Sequence, residues 1–187
     1  GGHRLPFMVR WPGTVAAGTQ SNQLICHTDL FATLGEITKQ QLPLGTAEDS
    51  VSFMPALLGR QIKTTRNGVI HHSISGHFAY RRGQWKLLLA KGSGGWSSPK
   101  EGQVPADAPK VQLYDMNADL SETNNLYEQH PQLVKQLLTM LQQDIVRGRS
   151  TTGPKASNDI EDIELWKSPG QKNNARTNQP KIRKNKN

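Results

Sequence analysis

The sequence predicts an α/β chain with an α+β C-terminal subdomain: the last strand and helix of a large mixed-sheet domain, then a small antiparallel sheet packed by a C-terminal helix. Three observations predict it. A continuous apolar run at residues 5–11 precedes a helical stripe at 27–38. Extended stretches fill residues 68–90 and break at Gly76 and Gly83. A long three-and-four periodicity closes the body between residues 130 and 146. The expected organisation is 1–67 as the end of the α/β domain, 68–150 as sheet plus helix, and 151–187 as a polar basic tail.

Each element has a local reason. Leu5-Pro6-Phe7-Met8-Val9-Arg10-Trp11 ends at Pro12-Gly13. Such an unbroken run suits a strand covered on both faces. In His27–Thr38, Leu30, Phe31, Leu34 and Ile37 form one apolar stripe, with Thr28 or Asp29 available as N-cap. Residues 39–67 are irregular, with a short helical turn expected at Met54–Leu58. Gly68–Ser75, Phe78–Arg82 and Gln84–Ala90 carry strand-type side chains, and a tight turn at Arg82-Gly83 makes the last two a hairpin. A Gly-, Ser- and Pro-rich loop runs from Lys91 to Pro109, and Val111–Met116 is a further strand. In His130–Val146, Leu133, Val134, Leu137, Leu138, Leu141 and Ile145 share a face; Pro131 suits the first turn and Gly148 the end.

The chain has 187 residues, 34% hydrophobic, with a net charge of +8. That charge is unevenly placed. Residues 165–187 hold seven of the 23 basic residues and no acidic one, so residues 1–164 are almost neutral. The tail lacks apolar residues after Trp166 apart from isolated ones, and reads as disordered. No aromatics interleave its charges, so nucleic acid is not expected as a partner. No apolar run reaches membrane-spanning length. One cysteine excludes a disulfide framework and a multi-cysteine zinc site. With Gly1-Gly2 at its start and no signal peptide, the chain reads as a piece of a longer protein.

Several blocks are more specific. Gly1-Gly2-His3-Arg4-Leu5-Pro6-Phe7-Met8-Val9-Arg10-Trp11-Pro12-Gly13 resembles the segment that follows the active-site lysine in sulfatases of the arylsulfatase type, within the alkaline-phosphatase superfamily. Asp29 and Thr33 match that family's Asp-x-x-x-Thr helix, and residues 48–59 its following turn. Arg81-Arg82-Gly83-Gln84-Trp85-Lys86-Leu87 is similar to its R-x-G-x-W-K-L hairpin. Leu113-Tyr114-Asp115-Met116-Asn117-Ala118-Asp119 through Glu122 and Asn125-Leu126 is similar to its LYDL-x-x-D-x-x-E-x-x-N-L element.

The resemblance implies sulfate-ester hydrolysis by a formylglycine made from Cys or Ser in C/S-x-P-x-R, with Ca2+ held by Asp and Asn ligands. It places the nucleophile, the calcium ligands and the lysine N-terminal to Gly1. On that reading no catalytic residue and no metal ligand lies in this chain, which alone is inactive. Residues 1–67 become the C-terminal end of the catalytic domain. The missing N-terminal part of the same protein and a sulfated carbohydrate or aryl sulfate become the partners. The family is commonly exported, which suggests a periplasmic or extracellular place. A phosphate or phosphonate ester hydrolase of the same superfamily, or a non-catalytic module binding anionic glycans, remains as an alternative.

Cys26 is followed by His27-Thr28 and lacks the required proline, so it reads as a small packed residue. Ser97-Ser98-Pro99-Lys100-Glu101 has Glu where the motif needs Arg. The candidate substrate-binding residues are His71, His72, His77 and Trp96. His71 and His72 are adjacent on a strand and face opposite ways, so they do not share a metal. His77 follows Gly76 at a turn. Trp96 sits in the long loop that, by the resemblance, lies near the active-site opening, where an indole would stack on a sugar or aromatic ring. Arg4 is expected in an ion pair at the start of the first strand. Asp29 reads as a helix-start carboxylate. Asp115, Asp119 and Glu122 lack calcium-loop spacing and read as turn and capping groups. Trp85 and Tyr114 are expected to pack between hairpin and helix.

Overall fold

The computed structural model describes residues 5–43, 45–63, 66–160 and 162–167. The Gly1–Arg4 positions and most of the basic tail, residues 168–187, lie outside the described residues. The order of elements is α1 (Asp29–Ile37), α2 (Met54–Leu57), β1 (Val69–His72), β2 (Phe78–Arg82), β3 (Trp85–Leu88), β4 (Gln112–Asp115) and α3 (Pro131–Arg147), with a 3-10 turn at Glu101–Gln103.

The four strands form one antiparallel sheet in sequence order. Register decides its two faces. Ile70 opposes Tyr80, Tyr80 opposes Leu87, and Leu87 opposes Leu113. These, with Phe78 and Leu89, form the face that meets Leu137 and Leu141 of α3 in the main core. Ala79, Leu88 and Ala90 form a smaller apolar cluster on the reverse face. The hairpin turns at Gly83 and Gln84, where Gly83 takes φ +56°, a conformation that glycine adopts without steric cost. α3 starts with Pro131 in its first turn and ends at Gly148 in the left-handed region, whose N–H bonds the Ile145 carbonyl at 3.0 Å. Any Cβ at Gly148 would fall 2.4 Å from the Ala156 carbonyl oxygen.

Two observations qualify the first segment, and one expectation needs correction. Residues 5–11 form no strand here. A strand exists only through a hydrogen-bonded neighbour, and no described residue pairs with this run; Phe7 instead sets its ring edge-on to Phe53 at 5.3 Å. The stripe of α1 faces outward: Leu30, Phe31 and Leu34 are exposed while Asp29, Thr33 and Gly35 are buried. Tyr114 does not face α3, because its pairing with Lys86 puts it on the reverse side of the sheet, whereas Trp85 joins the main core. Its hydroxyl bonds the Gln112 side chain. Burial, with the charges of Glu122 and Asp119, lifts it to about 12.

The start of the expected tail lies on the body. Thr151 bonds the Glu48 carbonyl through both its N–H and its hydroxyl, and Ile163 and Leu165 pack against the main core.

Candidate functional site

The β1–β2 turn and the loop after β3 meet at one end of the sheet. Ser73 N–H donates to the His77 carbonyl at 2.9 Å, and His77 N–H donates to Ser73 Oγ at 3.1 Å. Gly94 approaches His77 so closely that a Cβ on it would lie 3.4 Å from His77 Cβ; one on Gly95 would lie 3.9 Å from Ser73 Cβ. The loop that carries Trp96 therefore rests on the turn that follows His71 and His72. The indole of Trp96 is 82% exposed, so it does not anchor its loop.

The histidines divide by environment. His71 opposes Ala79 on the reverse face, and His72 opposes Phe78 on the α3 face. The His72 ring lies 4.1 Å from that of Phe78, near edge-on. Burial, with the charge of Lys167, pushes the His72 imidazole below its usual value, which favours the neutral ring. His77 is buried, with Nδ1 3.1 Å from the Leu89 carbonyl oxygen. A carbonyl only accepts, so this contact fixes the proton on Nδ1. The ring ties the turn to the end of β3, and any contact with a ligand would be indirect.

The acidic residues at the end of β4 and after it are taken up by backbone N–H groups and by one lysine. Asp115 Oδ1 accepts from Asn117 N–H at 2.9 Å. Asp119 accepts from Thr123 and Asn124 N–H at 2.7 and 2.8 Å, and such bonds hold its carboxyl below the usual range, that from Asn124 first. Glu122 pairs with Lys86 Nζ at 2.6 Å. Among the described residues no three His, Cys, Asp or Glu side chains come together as a metal site, so these residues do not fit a resident Ca2+. No helix among them is long and apolar enough to cross a membrane.

Sequence reasoning missed two groups. Arg66 enters the buried space under α1 and grips Asp29. Cys26 sits partly buried beside that pair, with Sγ 2.9 Å from Thr28 Oγ1 and 3.4 Å from the Arg66 guanidinium. Glu101, noted only as a departure from a motif, turns its carboxylate into the Trp96 loop. Neither partnership has a local sequence signal.

A four-stranded antiparallel sheet backed by one long helix and joined to a shorter helical segment defines an α+β unit. Two solved structures share that fold: Ps i-CgsB in complex with k-i-k-neocarrahexaose (TM-score 0.55, 18% identity, covering 79% of this chain and 30% of that one), and a protein in complex with its substrate D-glucosamine-2-N,6-O-disulfate (TM-score 0.53, 20% identity, 72% and 26%). No family model matches the chain. Among curated proteins it is 34% identical over 155 residues to the N-acetylgalactosamine-6-O-sulfatase of Bacteroides thetaiotaomicron, covering 75% of this chain and 27% of that protein. It is 29% identical over 154 residues to arylsulfatase A of Bos taurus, covering 76% and 30%. The chain belongs to the sulfatase family. It spans between a quarter and a third of the length of these relatives.

Proposed function

We propose that this chain is the C-terminal part of a sulfuric ester hydrolase and forms one wall of its substrate cleft. The 34% identity to a sulfatase over 155 residues carries the reading. The formylglycine and the calcium ligands lie in the portion N-terminal to residue 1, and Ca2+ bound there would stabilise charge on the transferring sulfate group. Nothing in this chain performs the bond cleavage. Residues 1–67 complete the catalytic domain, and 68–150 form the cleft-wall subdomain, against which Ile163 and Leu165 of the following segment pack.

Within the wall, Trp96 is the substrate contact, with His71 and His72 flanking the turn beneath its loop and His77 holding that turn in place. The substrate is a sulfated carbohydrate. An indole exposed on a bonded loop favours a ring-shaped ligand with an apolar face. The exposed face of α1, with Phe31 and Leu34, receives the remaining part of the catalytic domain.

The test is the activity of this chain alone and together with the preceding portion of its coding frame. The chain alone leaves 4-nitrophenyl sulfate intact. The extended protein, carrying C/S-x-P-x-R, hydrolyses it. Hydrolysis by the chain alone, or a preceding frame without that motif, overturns the reading; the second result would favour a glycan-binding module.

A further inference from the structure

The loop 91–101 is held from within by one carboxylate. Glu101 Oε1 accepts from Gly92 N–H at 3.0 Å and Gly94 N–H at 3.2 Å, and Oε2 accepts from Lys91 N–H at 3.0 Å. Gly92 and Gly94 are buried, so their N–H groups need an acceptor supplied by the protein. A second set of bonds closes the tip. Ser93 N–H donates to the Pro99 carbonyl at 2.8 Å, Ser93 Oγ donates to the Ser97 carbonyl at 2.6 Å, and Gly95 N–H donates to Ser93 Oγ at 3.2 Å. The two halves of the loop touch: a Cβ at Gly92 would lie 2.6 Å from the Pro99 carbonyl oxygen.

Trp96 sits between Gly95 and Ser97, both of which are tied into this network. Its exposure therefore belongs to a fixed loop. A loop bonded this fully and resting on the His77 turn needs no indole for its own stability, yet it presents one to solvent.

We infer that loop 91–101 is a preformed aromatic platform for a pyranose ring of the sulfated saccharide, and that Glu101 is its positioning residue. This rests on the reading that Trp96 contacts substrate. The apolar C–H face of the ring lies on the indole, and the sulfate is not recognised at this point. Glu101 never touches the sugar. By fixing the backbone of Lys91, Gly92 and Gly94 before Trp96, while Ser93 holds Ser97 and Pro99 after it, Glu101 removes ordering that binding would otherwise have to impose. Its effect falls on affinity and not on bond cleavage.

The test uses the 187-residue chain with N-acetylgalactosamine 6-sulfate, unsulfated N-acetylgalactosamine and inorganic sulfate as probes. Saturation-transfer NMR on the sugar ring protons gives Kd, and amide hydrogen exchange reports on Gly92 and Gly94. Both sugars bind alike, and inorganic sulfate leaves the Trp96 indole signal unmoved. Trp96→Ala weakens sugar binding about tenfold, the scale of one lost stacking contact. Glu101→Gln, which keeps one acceptor oxygen, weakens it about threefold, and Glu101→Ala about tenfold. Exchange at Gly92 and Gly94 accelerates in the same order. If Trp96→Ala abolishes binding while both Glu101 variants bind as the parent does, the positioning role is overturned and the Trp96 reading stands. If Trp96→Ala binds as the parent does, the Trp96 reading itself falls. A requirement for sulfate at the Trp96 signal overturns the pyranose-ring assignment.

Discussion

The Asp29 carboxylate and the Arg66 guanidinium meet through two parallel bonds, Nη1 to Oδ1 at 2.6 Å and Nη2 to Oδ2 at 2.8 Å, with both side chains almost wholly out of solvent. The same carboxylate accepts Cys26 N–H at 2.8 Å and Val51 N–H at 2.9 Å. It thereby ties the start of α1, the segment before α2 and the approach to β1 into one joint. Burial opposes the charge on Arg66, but the hydrogen bond to Asp29, the charge of that carboxylate and the hydrogen bond to Cys26 Sγ outweigh it and raise its pKa further.

Removing Arg66 takes away the guanidinium that neutralises the buried Asp29 carboxylate. Arg66→Ala should therefore lose about 3–5 kcal/mol of unfolding free energy, the usual loss when one half of a buried pair is deleted. Arg66→Lys should recover only part of this, since an ammonium cannot make both bonds in the fork geometry. Urea unfolding at pH 7 reads both. A loss below about 1 kcal/mol for Arg66→Ala would show that the joint contributes little to folding.

A second buried carboxylate should make stability depend on pH. Asp144 of α3 is 1% exposed and accepts the Tyr80 hydroxyl at 2.9 Å. Burial lifts its carboxyl, and the Asp49 charge adds to this. The Tyr80 bond, the Arg147 charge and the Asn67 amide work against it without cancelling it. The folded value thus lies above the unfolded one, near ~3.9. Between the two values the folded chain holds more protons than the unfolded chain, so stability falls as pH rises through that window. Asp144→Asn keeps an acceptor for Tyr80 and should flatten this slope. Tm measured from pH 3.5 upward in parent and variant checks it, and an unchanged slope would assign the dependence to other groups.

The parts of this fold legible in the sequence are those whose cause is local. The alternation through Phe78–Leu88 and the turn glycine between its arms specify the hairpin, and the spacing of Leu137 and Leu141 specifies the covered side of α3. The run 5–11 is unpaired among the described residues: composition reports a strand's suitability for burial, while a strand needs a partner. The α1 stripe is legible as an apolar face, but not as to what lies against it. Periodicity finds an apolar face, but which face is covered depends on Arg66, 37 residues away from Asp29. Of the proposed site, Trp96 and the three histidines His71, His72 and His77 are legible in the sequence. The support of the Trp96 loop by Glu101 is a set of side-chain-to-backbone bonds across the loop, which leave no periodic trace.

The outward face of α1 gives a prediction that separates folding from assembly. Phe31 and Leu34 are 53% and 54% exposed, so Phe31→Glu with Leu34→Glu should leave the urea midpoint of this chain nearly unchanged. The same pair should prevent association with the separately expressed N-terminal portion, because it places two charges in an apolar contact. Co-purification of the two pieces measures this. Undiminished association would move the interface elsewhere.

Two tryptophans of the same sheet unit should respond in opposite ways to truncation. Trp85 packs against the main core and tilts over the His130 ring at 5.2 Å. Trp85→Ala removes that packing and should cost about 3–5 kcal/mol, as large core truncations do. Trp96 is 82% exposed and its loop is held by Glu101 and Ser93, so Trp96→Ala should change unfolding free energy by less than about 0.5 kcal/mol. Urea denaturation of both variants decides between a structural and a recognition role for Trp96, with no ligand needed. A loss for Trp96 comparable to that for Trp85 would mean the indole packs against the body in solution and would remove the ground for a platform. A silent Trp96 is the outcome that a recognition role requires, since an indole that contributes nothing to folding is free to meet a ligand.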